Sequence, residues 1–358
     1  MKKKLSALFL AVIFVLSLCS CDYSFSDTQS DIIPEQSENA PLSVHFIDVG
    51  QGDSILLESN GEFVLVDAGE SDYGSTVVNY IKSQNADTLK YVIATHPHSD
   101  HCGGLTKVIN KLGCENFITV ETDQSTKTWT NVLKAVDKAD ANYIDAKVGE
   151  TYSFGESSFE IMAPLSDNYE GYNNYSVVIK ATYKDTSFLL MGDAEKQSEK
   201  EMLKAKEDIS ADVIKLGHHG SSSSSSKEFL KAVNPDYAVI SCGKDNDYGH
   251  PHKETIQTLS KLSIPYFETD IDGTIVACSN GTDIKFYTER NGEIATNPTV
   301  NETKTQTADN YIGNKNSKVF HTPDCSGAKT MSEKNKVTFS SREEAESEGY
   351  KPCKQCNP

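Results

Sequence analysis

Positive charge is scarce in this chain: 34 lysines and arginines stand against 52 aspartates and glutamates in 358 residues, a formal net charge of −18. A surface of that sign repels polyanions at long range, which excludes a general nucleic-acid coat. It leaves open a polyanion held at a local site or through bound metal. Long apolar runs are scarce too. Beyond the first twenty-odd residues no stretch approaches the length that crosses a bilayer. The length itself accommodates one large domain with a small companion, or two ordinary domains.

The opening run "MKKKLSALFLAVIFVLSLCSC" has three lysines, then an apolar stretch of about a dozen residues, then small residues around cysteine. This is the pattern of a secretory leader. Its end, with Leu18, Ser20 and Cys21, resembles a bacterial lipobox and predicts lipidation at Cys21. The expected location is the outer face of the cell membrane, by a lipid anchor, or release by simple cleavage. Nine cysteines in an exported chain would first point to disulfides. Their placement argues otherwise: two fall in the leader, Cys325, Cys353 and Cys356 crowd the C-terminus, and Cys102, Cys114, Cys242 and Cys278 are scattered. One bridge is conceivable; a disulfide scaffold is not.

Residues 22–41 are polar, acidic and unpatterned and read as a spacer. From Leu42 the texture changes to short β-branched runs that break at Gly, Asp or His, such as "LSVHFIDVG", "EFVLVDAG" and "YVIATH". Helical spacing appears in "GSTVVNYIKSQ", "GLTKVINKLG" and "TWTNVLKAVDKA". Later strands ("YSVVIKATYK", "TSFLLMGDAE", "ADVIKLGHHG", "DYAVISCG") alternate with helices ("KQSEKEMLKAK", "SKEFLKAV", "KETIQTLSKL"). The expected fold class is α/β, layered, with sheet inside and helices outside, over 42–290. A Thr- and Asn-rich linker spans 291–310, and 311–358 form a module too small for a generous core without a staple.

Three of nine histidines fall in "THPHSDH", after a short apolar run. In extended chain, residues two apart share a face, so His96 and His98 can hold one cation. Asp100 and His101, just beyond, can be turned toward a second. Imidazole with carboxylate suits Zn, Mn or Fe, and a close metal pair is the usual device for activating water at a displacement centre.

"HPHSDH" resembles the HxHxDH signature of the metallo-β-lactamase fold, which implies an αββα sandwich. The resemblance implies further that Asp67 in "VLVDAG" orients ligands from behind and that Asp193 in "LLMGDAE" bridges two metals. It also implies that His218 or His219 in "KLGHHGS" is a late ligand, with His219 the better fit. "HFIDVGQGDS", "NNYSVVI" and "YGHPH" narrow the likeness to the hydrolase domain that ends ComEC-type competence proteins, and to its secreted relatives, from Leu42 to Glu289. Where many members of the fold have a metal-binding histidine, this chain has Asn173 and Asn174, expected near the substrate. The resemblance therefore implies two divalent metals, Zn or Mn. His250 is expected to meet substrate phosphate or protonate the leaving group. The Gln51–Gly52–Asp53 turn is expected to position substrate through side chains and backbone N–H groups. In the serine run 221–226, a helix cap is expected, with only Ser221 reaching the site. His45 and His252 read as structural, and Cys102 has no evident role.

His321, Cys325, Cys353 and Cys356 form an H-x3-C…C-x2-C set, the donors of a closed tetrahedral zinc site. The segment resembles the metal-binding domain of the Ada DNA-repair protein, with His321 where a cysteine is common. Its own charge is +2, from eight basic and six acidic residues, in an otherwise acidic chain. Binding of a polyanion or partner is expected of it.

The resulting expectation is an exported, lipid-anchored hydrolase acting on phosphodiesters, DNA first, beside DNA-uptake machinery. Cell-surface polymers such as phosphocholine-bearing teichoic acid are the alternative substrate. A surface lipoprotein that only captures DNA is the non-enzymatic alternative. β-Lactam hydrolysis is not expected from "GQGDS" and "YGHP".

Overall fold

The β-branched runs become strands because each has apolar residues to bury on both faces. The computed structural model describes residues 40–205, 207–294, 311–323, 325–339, 345, 348–354 and 356. The leader with Cys21, nearly all of the spacer and most of the linker lie outside the described residues. The first sheet contains β1 (Leu42–Phe46), β2 (Ile55–Ser59), β3 (Glu62–Val66), β4 (Tyr91–Ile93), β5 (Asn116–Thr119) and β6 (Asn142–Asp145). The second contains β7 (Thr151–Phe154), β8 (Ser157–Ala163), β9 (Val178–Tyr183), β10 (Thr186–Leu190), β11 (Val213–Lys215), β12 (Tyr237–Ile240) and β13 (Tyr266–Glu268). The chain then returns to the first sheet as β14 (Ile275–Ser279), β15 (Ile284–Thr288) and β16 (Gly292–Ile294). Among the described residues the orders are β16-β15-β14-β1-β2-β3-β4-β5-β6 and β13-β12-β11-β10-β9-β8-β7. The sheet thus runs past residue 290, into the stretch expected to be linker.

Helices cover both outer faces. α1 (Gly74–Ser83), α3 (Leu105–Leu112) and α4 (Lys127–Lys138) pack on the first sheet. A one-turn helix, α2 (Ser99–Cys102), precedes α3. α5 (Lys196–Ala205), α6 (Lys227–Val233) and α7 (Lys253–Leu262) pack on the second. In α3 the apolar residues Leu105, Val108, Ile109 and Leu112 fall at helical spacing and are all buried. Between the sheets a third layer of side chains, including Phe46, Phe154, Phe159 and Phe188, joins strands of both. Fully burying each such side chain contributes about 1.5–3 kcal/mol. The result is the expected αββα sandwich.

β3 and β4 are parallel, as are β10, β11 and β12. Their carboxyl ends lie at one rim, where crossover connections leave a crevice. In the C-terminal segment β17 (Tyr311–Asn314), β18 (Val319–His321), β19 (Lys336–Phe339) and β20 (Lys351–Pro352) form a small sheet, with a one-turn helix, α8 (Ser326–Lys329), in the same segment. Its described core is only Phe320, Phe339, Ala345 and Tyr350, with Tyr311 and Val337 against it. No helix among the described residues is long and apolar enough to cross a membrane.

Candidate metal centre

Each parallel strand delivers a polar residue just past its end. β3 runs into Asp67, β4 into Thr95 and His96, β10 into Asp193, and β11 into His218 and His219. Asp67 is sealed from solvent and accepts hydrogen bonds from the Thr95 backbone (2.9 Å) and hydroxyl (2.6 Å). It lies 2.7 Å from His101 Nδ1, so His101 must turn Nε2 inward. His96 is fixed the same way: Thr95 Oγ1 (3.1 Å) and Ser176 Oγ (3.3 Å) face its Nδ1. His219 sends Nδ1 to the Ser241 carbonyl at 3.0 Å. Three rings thus point Nε2 into one space because a partner holds Nδ1 outside it.

Asp193 stands in the middle. Its Oδ1 is 3.2 Å from His101 Nε2 and 3.4 Å from His219 Nε2. Its Oδ2 is 3.7 Å from His96 Nε2 and 3.8 Å from His218 Nε2. His96 Nε2 meets His98 Nδ1 at 3.0 Å, and His101 Nε2 meets His219 Nε2 at 3.2 Å. Asp100, half-turned to solvent, places Oδ2 3.2 Å from His219 Nε2. Two groups therefore have donor atoms close enough to share an ion: Asp53, His101, Asp193 and His219, and His96, His98 and Asp193.

Divalent metals fit this donor set on an observation internal to it. Asp193 Oδ1 is buried, lies within 3.4 Å of two ring nitrogens, and yet makes no hydrogen bond. Buried carboxylate oxygens normally find a hydrogen; converging lone pairs without one define a cation position. Charge balance agrees. Burial disfavours the His219 cation, but Asp193, Asp100 and Asp53 around it carry its pKa up to about 9. Burial likewise opposes charge on His101, and Asp193, Asp100 and Asp67 override it. The carboxylates outnumber the permanent cations and call for positive charge.

The structure corrects several expectations. His96 and His98 are not strand neighbours: β4 ends at Ile93, the two histidines sit in the following loop, and α2 carries Asp100 and His101. Asp53 cannot touch substrate, being 1% exposed and paired with Lys215 Nζ at 2.6 Å. Of the backbone N–H groups in its turn, that of Asp53 is spent inside the fold, on the Asp100 carbonyl at 3.2 Å, and just before the turn Gly50 N bonds Asp48 Oδ1 at 3.1 Å. Gln51 Oε1 likewise accepts from Gly243 N at 3.2 Å, although Gln51 still borders an open cleft. Asn174 is buried and spends Oδ1 on the Glu195 (3.1 Å) and Ser198 (3.3 Å) amides at the start of α5. Asn173 does border the centre, 3.4 Å from His218 Nδ1, and its buried Oδ1 has no partner. Ser221 is buried and bonds Ser223; Ser223, not Ser221, reaches His218 Nδ1 at 3.1 Å. The helix cap in that run is Ser226, which accepts from Phe229 N at 3.3 Å.

The adjacent histidines are separated by their backbone. Both adopt left-handed conformations, φ 48° at His218 and 53° at His219, which cost about 1–3 kcal/mol each outside glycine and persist mainly at functional sites. The pair splays: His219 is sealed in, while His218 is 25% exposed and holds Glu195 Oε1 at 3.1 Å. His218 stands outside both ligand groups. His250 lies over the crevice, its ring 5.4 Å from His218 and 6.1 Å from His219, its Nδ1 buried and unpartnered. Burial and the neighbouring His219 and His218 push its pKa down to about 4, so it is neutral near pH 7. His45 bonds Ser43 and Tyr80, and His252 accepts from Ser222 N with its ring 4.8 Å from His250; neither belongs to the ligand groups. Cys102 is core, sealed beneath α3 and α4, with burial pushing its thiol up to about 12. No disulfide joins the seven described cysteines.

The sequence offered no sign of Ser176, Ser241 or Glu195 as supporting groups. Lys215 did leave one: a lone cation in the apolar run "VIKLG". In the small C-terminal sheet, His321, Cys325, Cys353 and Cys356 come together as donors within reach of one ion, His321 Nδ1 lying 3.3 Å from Cys325 Sγ.

An αββα sandwich with His and Asp donors converging at the carboxyl ends of its parallel strands defines a metal-dependent hydrolase fold. The chain belongs to the metallo-beta-lactamase superfamily, whose pattern matches residues 47–244, and the metal binding domain of Ada matches residues 299–358. It is similar to ComE operon protein 3 of Bacillus subtilis (strain 168), 29% identical over 250 residues, 65% of this chain and 32% of that one. Recombination protein 2 of Haemophilus influenzae is 27% identical over 246 residues, 67% of this chain and 29% of that protein. Exodeoxyribonuclease WalJ of Streptococcus pneumoniae is 28% identical over 109 residues, 30% of this chain and 39% of that one. The chain thus spans about a third of the length of these relatives.

Proposed function

We propose that the chain is an exported, lipid-anchored phosphodiesterase that hydrolyses DNA outside the cell. The observation that carries the chemistry is Asp193, whose two oxygens face separate ligand groups. In this reading His96, His98 and Asp193 hold one divalent cation, with Asn173 Oδ1 in reach of the centre. Asp100, with Oδ2 3.2 Å from His219 Nε2, takes the place of Asp53, which Lys215 occupies, and with His101, Asp193 and His219 holds the other, either as Zn or Mn. Bound cations supply the Lewis acidity that activates water and offsets phosphodiester charge.

The chain's own residues do the rest. Asp67 keeps His101 in one tautomer, and Thr95 with Ser176 does so for His96. Asp100, the partly open carboxylate, accepts a proton from the attacking water. His250, neutral and above the crevice, binds substrate phosphate as a hydrogen-bond donor. DNA as substrate is supported by relatives named for competence (Competence protein ComA of Neisseria gonorrhoeae), recombination and exodeoxyribonuclease activity. The leader with Cys21 supports the outer face of the cell membrane, where this reading sets the chain beside DNA-uptake machinery. The C-terminal module, with one structural zinc on His321, Cys325, Cys353 and Cys356, is assigned to holding the polymer.

Elemental analysis of the purified chain together with DNA digestion in Mn or Zn tests this reading. Three metal equivalents, turnover of DNA, and its loss in His98→Ala are expected. A metal-loaded chain that leaves DNA intact while releasing choline phosphate from teichoic acid would transfer the chemistry to that polymer. Binding of DNA that survives His98→Ala with no turnover in the parent would leave only the capture role.

A further inference from the structure

One exposed aromatic beside the centre is held too firmly to be incidental. Tyr248 is 67% exposed, yet its loop is stapled by Asn246. The Asn246 amide donates to the Gly243 (2.8 Å) and His250 (2.6 Å) carbonyls, and its oxygen accepts from Tyr248 N (3.2 Å) and His250 N (3.0 Å). One face of the Tyr248 ring stacks on His250, centroids 5.6 Å apart and planes 18° from parallel. His250 in turn lies 6.1 Å from His219 and 34° from its plane. A ladder of rings therefore leads from the ligand groups to solvent, and its outermost rung is vacant on one side.

That rung borders a cleft of about 470 Å³ between the 243–248 loop and the Gly50–Gln51 turn. The volume falls in the range that encloses a single small organic ligand. Four carboxylates (Asp48, Asp245, Asp247, Asp270) line it against two cations, Lys244 and Arg290. Arg290 is already engaged, with Asp48 Oδ2 at 3.3 Å and the Asp270 carbonyl at 2.5 Å. Asp245 and Asp247 have no hydrogen bond or ion pair among the described residues. The lining thus offers acceptors for hydroxyl and amino hydrogens and repels phosphate.

We propose that this cleft is a subsite for the terminal nucleoside of the substrate strand, with Tyr248 as its stacking platform, and that the enzyme therefore works from a chain end. The inference rests on the phosphodiesterase reading above and adds direction of attack to it. Aromatic stacking accepts every base, because each has a π face. The sugar hydroxyl of a terminal residue and the exocyclic amines of bases donate to Asp245 and Asp247. A strand continuing through the cleft would instead bring its next phosphate against those carboxylates.

The full metal-loaded chain is offered a linear single-stranded oligonucleotide, the same sequence closed into a circle, and a phosphocholine ester. Shortening of the linear strand with the circle intact is expected. Tyr248→Ala lowers kcat/KM on the linear strand about ten- to a hundredfold, with metal content unchanged, and Tyr248→Phe restores it. The double variant Asp245→Lys/Asp247→Lys admits the circle. Cutting of the circle by the parent chain as fast as the linear strand, or an unaltered kcat/KM in Tyr248→Ala, overturns the subsite. So does faster turnover of the phosphocholine ester, which would assign the tyrosine and carboxylates to a quaternary ammonium. Failure on all three substrates refutes the phosphodiesterase reading itself, not the subsite alone.

Discussion

Lys215→Met asks how much of the centre depends on one buried charge. Lys215 Nζ lies 2.6 Å from Asp53 Oδ2 and 2.9 Å from the Leu216 carbonyl, with the lysine 0% and the aspartate 1% exposed. Methionine keeps the aliphatic stem and removes the ammonium, so Asp53 loses its only cation that does not depend on pH. Burial pushes the Asp53 carboxyl up, but Lys215 and His219 together hold it down at about 2. Removing one partner of a buried pair costs about 3–5 kcal/mol, a large part of the 5–15 kcal/mol that holds a typical domain folded. Asp53→Asn should cost a similar amount by stranding Lys215. The double variant should recover most of either loss, so its cost falls far below the sum of the two singles. Urea denaturation of chelator-treated protein measures all four corners without a metal contribution. Single variants that each cost less than about 1 kcal/mol, or losses that simply add, would refute the pairing and the view that it fixes Asp53 behind His219.

His45 gives a pH dependence remote from the ligand groups. Its folded pKa is depressed from 6.5 to about 3 by burial, so the unfolded chain takes up the proton first as pH falls. Stability is then fully present above 6.5 and falls by about 1.4 kcal/mol per unit between 6.5 and 3; His45→Asn should flatten that slope in denaturation series. Gly52→Ala should destabilise by about 1–3 kcal/mol, because φ is 138° and an added Cβ would sit 2.2 Å from the Asp100 carbonyl. Calorimetry reads the loss, and metal analysis should show weaker occupancy as Asp100 shifts; an unchanged melting profile would sink the argument. Cys325→Ser should lower metal content by one equivalent and unfold only the C-terminal module, whose described core has four buried residues. Limited proteolysis with intact hydrolase melting would show it, and a protease-resistant module would contradict it.

Much of the donor set was legible locally, because His96, His98, Asp100 and His101 fall within six positions and their chemistry is explicit. The strand and helix pattern was legible for the same reason: β-branched runs and helical spacing are short-range signals. The strands Asn116–Thr119, Asn142–Asp145 and Thr151–Phe154 escaped notice, being short and, in the last two, largely exposed, so they carry little apolar pattern. Expectations at Asp53, Asn174 and Ser221 failed together, since each looks like a loop residue in sequence and each is buried in the fold.

By itself the sequence determined which atoms are available to bind metal, the layered α/β architecture, and the staple residues of the small module. Only the tertiary structure decided how they are used. It chose His219 over His218 through two successive left-handed residues. It set Lys215 against Asp53 across 162 positions of chain. It turned Tyr248 outward beside His250. Donor identity is a property of a residue, whereas burial and pairing are properties of contacts between strands distant in the chain.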